Sequence, residues 1–258
     1  MFKYFLYFLT LLFIFLTITP VMTGNDKKYT SEQFLNMARN AHPEKTCAIL
    51  IGTVSNKRRD TPSTYETHKA DIKVGMRFTA SRVLAKTTIK EIGEELSESY
   101  MVGQPYNGQP VSILASEKKD DDIPLLGKFG LRPEDLTMAF LYWNLKKELA
   151  NESVKGFDCR VLELINPKTK EFVKVYISDK YLCPIKVEWF KPSQKTSIPY
   201  RNVIISSFKT EGNLGAPSEL NLYGPGWKTK VDFTNIRLGY TKDGIPKDIF
   251  TNSFPRPE

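Results

Sequence analysis

The sequence predicts an α+β chain that is predominantly antiparallel β, with about eleven strands and two short helices. Three observations predict it. Apolar and polar residues alternate with a period of two along most of the chain. In 68–79, His68, Ala70, Ile72, Val74, Met76 and Phe78 share one face, while Lys69, Asp71, Lys73, Arg77 and Thr79 share the other. Turn signals such as Tyr106-Asn107-Gly108, Asn166-Pro167-Lys168 and Gly224-Pro225-Gly226 separate the runs at hairpin spacing, which makes neighbouring strands antiparallel. Helical spacing is confined to two brief stretches. A sheet this wide curls toward a barrel, because twist accumulates from strand to strand.

Residues 1–23 hold one early cation, Lys3, then an uncharged run from Tyr4 to Thr19 that stops at Pro20. That order predicts a secretory signal peptide. As a helix the run would span about 24 Å, short of the roughly 30 Å hydrocarbon core, so export is favoured over an uncleaved anchor. No cysteine lies near the cleavage zone, so a lipid on the mature chain is not expected. Residues 24–258 read as one domain: a polar linker over 24–28 is followed by no further Pro/Ser/Gly-rich break.

The first helix is expected at Thr30. Thr30 and Gln33 have capping-box spacing, Phe34, Leu35, Met37 and Ala38 form the apolar stripe, and Asn40 and Pro43 end it. From Thr46 onward the period is two, as in Val83/Ala85/Thr87/Ile89, Ile185/Val187/Trp189 and Trp227/Thr229/Val231/Phe233. The second helical stretch interrupts the strands. Pro133 suits a first helical position, Glu134 and Asp135 suit the first turn, and Leu136, Ala139, Phe140 and Trp143 make a one-sided stripe. The apolar face of the sheet is then either filled by packed side chains or left hollow, and alternation alone does not choose. If 158–166, 171–178 and 183–190 form a meander, Cys159 and Cys183 stand two strands apart. At about 9–10 Å they are beyond disulfide reach, so with Cys47 they read as buried free thiols.

The net charge of +8 favours anionic partners, but export argues against nucleic acid. The nucleophile elbow, zinc-protease, paired-cysteine and phosphate-loop motifs are all missing. His42 and His68 are the only imidazoles, and both read as surface or strand-end residues. Asp120-Asp121-Asp122 reads as a solvated loop, Glu94, Glu95 and Glu98 as strand-end charges, and Asn151-Glu152-Ser153 as a chance sequon. No catalytic residue, metal ligand or cofactor is expected. The chemistry that remains is that of a binder.

The order of several segments resembles the outer-membrane lipoprotein-sorting family, the LolA-like carriers. The first is Gly127-Lys128-Phe129-Gly130-Leu131-Arg132-Pro133-Glu134-Asp135-Leu136, followed by Gly156-Phe157-Asp158-Cys159-Arg160-Val161-Leu162-Glu163-Leu164. Then come Val175-Tyr176-Ile177-Ser178-Asp179, Leu182-Cys183-Pro184-Ile185-Lys186-Val187-Glu188, and a closing segment Ile245-Pro246-Lys247-Asp248-Ile249-Phe250-Thr251 that resembles the family's last strand. The resemblance spans roughly residues 30–252. It implies a curved, incomplete β-barrel with short lid helices and an apolar cavity that takes acyl chains in the periplasm. Val74, Met76, Phe78, Val187, Trp189 and Phe233 then become candidate cavity lining, and Leu136, Phe140 and Trp143 candidate lid residues. It also implies a strand arginine that holds the lid shut. Arg77 and Arg82 stand in the corresponding strand region, with no local motif to choose either.

The implied ligands are acyl chains of lipoproteins or lipids. Moving a triacylated lipoprotein out of a membrane exposes roughly forty methylenes at about 0.8 kcal/mol each, on the order of 30 kcal/mol. No binding protein supplies that alone. The resemblance therefore implies an ATP-driven extractor in the inner membrane as donor and an outer-membrane acceptor. The alternative on the same scaffold is a periplasmic sensor that binds a membrane-protein partner.

Overall fold

The computed structural model describes residues 29–41, 44–61, 63–106, 109, 111–115, 124–192 and 198–254. The expected signal peptide, His42, Pro43, the Asn107-Gly108 turn and the Asp120-Asp121-Asp122 run lie outside the described residues.

Among the described residues twelve strands, one more than expected, form a single antiparallel sheet. The first five are β1 (Thr46–Arg59), β2 (Tyr65–Phe78), β3 (Arg82–Glu91), β4 (Glu98–Pro105) and the short β5 (Ser112–Ala115). The other seven are β6 (Asn144–Val154), β7 (Phe157–Ile165), β8 (Phe172–Ser178), β9 (Pro184–Phe190), β10 (Arg201–Glu211), β11 (Leu214–Gly224) and β12 (Trp227–Tyr240). The spatial order is β5-β4-β3-β2-β1-β12-β11-β10-β9-β8-β7-β6. Two meanders therefore run outward from the central β1–β12 pair, leaving β5 and β6 as the two edges of an incomplete barrel. This order explains the lid. A chain that leaves one edge at β5 and re-enters at the other edge, β6, has to cross the mouth of the curled sheet.

The first helix, α1 (Ser31–Arg39), starts as its capping box dictates: Gln33 N–H donates to Thr30 Oγ1 (3.2 Å) and Thr30 N–H to Gln33 Oε1 (2.9 Å). Its Phe34, Leu35 and Ala38 are buried against β7, β8 and β9. The crossing segment departs from expectation. In place of one amphipathic helix there is a single turn, α2 (Leu125–Lys128), then 3₁₀ turns at Pro133–Asp135 and Ala139–Tyr142. Left-handed backbone at Gly130 (φ +69°) and Met138 (φ +53°) breaks α-helical propagation.

The closing segment is also corrected. After β12, residues 245–251 form turns rather than a strand, because β12 already pairs with β1 on one side and β11 on the other. The segment straps the outer face instead. Ile249 is buried with Cys47 and Ile49, and Lys73 Nζ donates to the carbonyls of Asp248 (2.8 Å) and Ser253 (3.1 Å) and to Thr251 Oγ1 (3.0 Å). Cys47, Cys159 and Cys183 are free thiols, and burial pushes Cys183 up to about 12.

Candidate lid and ligand-binding face

Alternation places one apolar row of each strand on the concave face. Val54 of β1, Ile72 and Val74 of β2, Ile89 of β3, Leu222 of β11 and Phe233 of β12 are all buried in one cluster. The side chains that complete it come from the lid: Leu125, Leu126, Phe129 and Leu131 are buried there, and Leu136 packs against it. Phe129 is 0% exposed. The hollow implied by the resemblance is thus occupied in this part by the protein's own apolar plug.

The candidate lining separates into two groups. Val74 and Phe233, with Met76 and Leu136 partly buried beside them, belong to the cluster around Phe129. Phe140, Val187 and Trp189, with Trp143 at their margin, belong to a second cluster under α1. There the Phe140 and Trp189 rings meet edge-on at 5.6 Å. Val203 of β10 packs against both clusters. Phe78 ends β2 opposite Thr46 and is half-buried.

Polar side chains fix the lid at its margins. Arg201, which opens β10, pairs with Asp135: Nη1 donates to Oδ1 at 3.1 Å and Nη2 makes a shorter bond to Oδ2. Its Nε donates to the Gly130 carbonyl at 3.1 Å, and its guanidinium lies 4.4 Å from the Trp189 ring centroid. Asp135 also accepts from the Arg132 backbone N–H at 2.7 Å. Arg132 pairs with Glu171 (3.3 Å) and donates to the Tyr200 hydroxyl, which in turn donates to Glu171. Burial and the bond to Glu171 push Tyr200 up to about 12. Burial, then the neighbouring Asp135 charge, raises Glu134 above the usual carboxylate range.

Further ties join the lid to the sheet and to α1, among them the Leu125 N–H, which donates to Glu98 Oε2 of β4 at 2.9 Å. Thr229 Oγ1 donates to the Phe129 carbonyl (2.7 Å) while accepting from Asn56 Nδ2 (2.7 Å), so the plug's backbone is satisfied inside the sheet. Arg39 of α1 donates to the carbonyls of Leu141 (2.7 Å) and Trp143 (3.0 Å). The arginines that hold the lid are therefore Arg39, Arg132 and Arg201, with Arg58 of β1 donating more weakly to the Lys128 carbonyl at 3.4 Å. Arg77 lies opposite Cys47 on the outer face, and Arg82 is exposed at the start of β3. Sequence reading missed Arg201 because its partner lies 66 residues away and no local pattern marks it. It also passed over Leu125, Leu126 and Phe129, although their spacing gives one apolar side to a helical turn.

Among the described residues no three His, Cys, Asp or Glu side chains gather as metal ligands, and no helix is long and apolar enough to cross a membrane.

No protein-family model and no curated protein matches the sequence. Solved structures do match its fold. A DUF1329 family protein from Desulfovibrio piger superposes with a TM-score of 0.61 at 14% identity, covering 84% of this chain and 94% of that one. A LolA superfamily protein from Nitrosomonas europaea gives 0.53 at 14% identity, covering 86% of this chain and 98% of that one. The fold is LolA-like. The incomplete barrel expected from the segment order is therefore the fold found, at an identity where the likeness speaks for architecture alone. Within this LolA-like sheet, the lid is the part that carries the polar latches and the apolar plug together.

Proposed function

We propose that this chain is an exported, non-enzymatic binder of acyl chains, which it holds on the concave face after the lid plug withdraws. One observation carries the reading: the concave face is completed by Leu125, Leu126, Phe129 and Leu131 on a crossing segment, not by side chains of the sheet itself. A plug on a separate segment, held at its margins by ion pairs, can leave without unfolding the strands beneath it.

The magnitudes suit exchange. Burying four such side chains is worth about 2 kcal/mol each, so about 8 kcal/mol in all. A sixteen-carbon chain buried at about 0.8 kcal/mol per methylene gains about 12 kcal/mol before its ordering costs. The two are close enough for a ligand to displace the plug and for the plug to expel the ligand. Carriage between membranes needs that reversibility. The donor and acceptor on this reading are an ATP-driven inner-membrane extractor and an outer-membrane receptor, with the periplasm between them.

The test is to purify the mature chain, extract it with organic solvent, and titrate it with a fluorescent fatty acid. Co-purifying acyl lipid and saturable binding of the probe are expected. A clean extract together with no probe binding refutes the proposal. In-cell crosslinking then separates carriage from sensing: many lipoproteins captured speaks for a carrier, one membrane protein for a sensor.

A further inference from the structure

On the concave face, three successive cross-strand rungs of the central β1–β12 pair change in character toward the β1–β2 hairpin. Val54 stands opposite Val231, then Asn56 opposite Thr229, then Arg58 opposite Trp227. The first rung is apolar and buried. Asn56 and Thr229 are as deeply buried, at 0% and 2% exposed, while Arg58 is exposed and Trp227 half-buried. Rungs on one face are two residues apart, about 7 Å. The apolar floor shared by Val54, Val231 and Phe233 therefore ends at one buried polar rung, and water begins one rung beyond it.

The hydrogen bonds of the polar rung have one consistent assignment. The Phe129 carbonyl only accepts, so the Thr229 hydroxyl gives it its single proton (2.7 Å), and the Asn56 amide nitrogen must donate to Thr229 Oγ1 (2.7 Å). That leaves Asn56 Oδ1, which has no hydrogen-bond partner among the described residues. The other ties from sheet side chains to the plug backbone, through Glu98, Arg58 and Arg201, are part-buried or exposed. Asn56 and Thr229 both belong to the sheet. They stay when the plug withdraws, and only the acceptor leaves with it. On an open, empty face water satisfies the hydroxyl. Under an acyl chain that excludes water, the buried donor is stranded unless the ligand brings an acceptor of its own.

From this arrangement we infer that Thr229 is a carbonyl-recognition site, held by the Phe129 carbonyl in the closed state and taken over by the ester or amide carbonyl of an acyl ligand in the loaded state. Asn56 is the positioning residue that turns the hydroxyl proton toward the concave face. The ligand class narrows to amphiphiles whose chain ends in a carbonyl, as against hydrocarbons and alkyl ethers. The chain lies on the Val54–Val231 side of the rung, and the polar remainder leaves past Arg58 to solvent. A hydroxyl or N–H beside the carbonyl has Asn56 Oδ1 to donate to. The inference rests on the acyl-chain reading above for the chain, and on this rung alone for the carbonyl.

The experiment titrates the full chain calorimetrically with three ligands of one chain length and one head: ethylene glycol monopalmitate (an ester), palmitoylethanolamide (an amide) and ethylene glycol monohexadecyl ether. The ester and the amide are expected to bind about tenfold tighter than the ether, and the tighter of the two names the linkage. Thr229→Val keeps the shape and loses the hydroxyl, so it should bring the ratio of carbonyl to ether affinity close to one. The same change loosens the plug, which moves all three Kd values together and cancels in the ratio. Thr229→Ser keeps the hydroxyl and should keep the preference, which a purely packing role for Thr229 does not predict. If Thr229→Val fails to fold, the native chain still decides. Equal affinities for the three ligands there, or a carbonyl preference that survives Thr229→Val, overturns the carbonyl site and leaves the acyl-chain reading intact. Binding of none of the three overturns both.

Discussion

Arg201 at the start of β10 and Asp135 in the crossing segment form a two-bond ion pair over the Trp189 ring, and the side chains are only 4% and 12% exposed. A single pair thus joins the lid, the strand that faces both apolar clusters, and the aromatic contact under α1. Removing either partner leaves the other charge buried.

Arg201→Ala should therefore destabilise the closed lid by about 3 kcal/mol, the usual cost of stranding one member of a buried pair. Urea denaturation measures the total, and hydrogen exchange over 125–143 shows where it falls. Combining it with Asp135→Asn should cost less than the two single changes together, because the stranded charge is gone. Additive costs in that cycle would mean that the two side chains do not interact.

Glu134 precedes this pair in the chain and titrates upward, chiefly through burial and then through the Asp135 charge. A carboxyl whose folded pKa is raised is more stable protonated. Its contribution is complete below the ordinary glutamate value of about 4.3 and is lost as pH rises through the folded value. Melting temperatures of the native chain and Glu134→Gln should accordingly converge near pH 4. Above that the glutamine variant should pull ahead and level off toward neutrality. A difference that stays constant from pH 4 to 7 contradicts the assignment.

Gly130 combines a φ of +69° with a Trp227 ring 2.5 Å from where a Cβ would stand. Gly130→Ala must both strain the backbone and push the indole aside, so a loss of about 2 kcal/mol is expected. Trp227 emission should shift to the red as the ring loses its seat. Gly156→Ala is the control: its φ is +81° with open space around it, so strain acts there without a clash.

The period-two pattern made the fold legible wherever one face of a strand met the core and the other met water. β2 shows both the success and its limit. His68 through Phe78 alternate as read, yet Lys73, assigned to the solvent face, is 2% exposed because the 248–253 strap crosses above it. Nothing in β2 itself records that crossing. The lid was legible as an interruption, but its form was not. Pro133, Glu134 and Asp135 start a helix in any local reading, whereas the left-handed turns at Gly130 and Met138 are set by the need to bring Phe129 under the sheet and Asp135 to Arg201. The candidate apolar residues were readable from their spacing. Their division between two clusters was not, because it depends on which strands the lid crosses.

Phe129 is the side chain on which plug and ligand compete. Fully buried among Val74, Leu222 and Phe233, it fills space that an acyl chain would need. Phe129→Ala should lower the stability of the empty protein by about 3 kcal/mol, as large-to-small core changes do. If the closed lid is what a ligand must displace, the same change raises the fraction of molecules ready to bind. The apparent Kd for a fluorescent fatty acid should then fall, by about tenfold or more, since each 1.4 kcal/mol of lid stability removed is a factor of ten. A merely structural Phe129 predicts the opposite, because a damaged site binds more weakly. Denaturation and probe titration on the same preparation separate the two: stability and affinity moving in opposite directions support the plug, and both falling together refutes it.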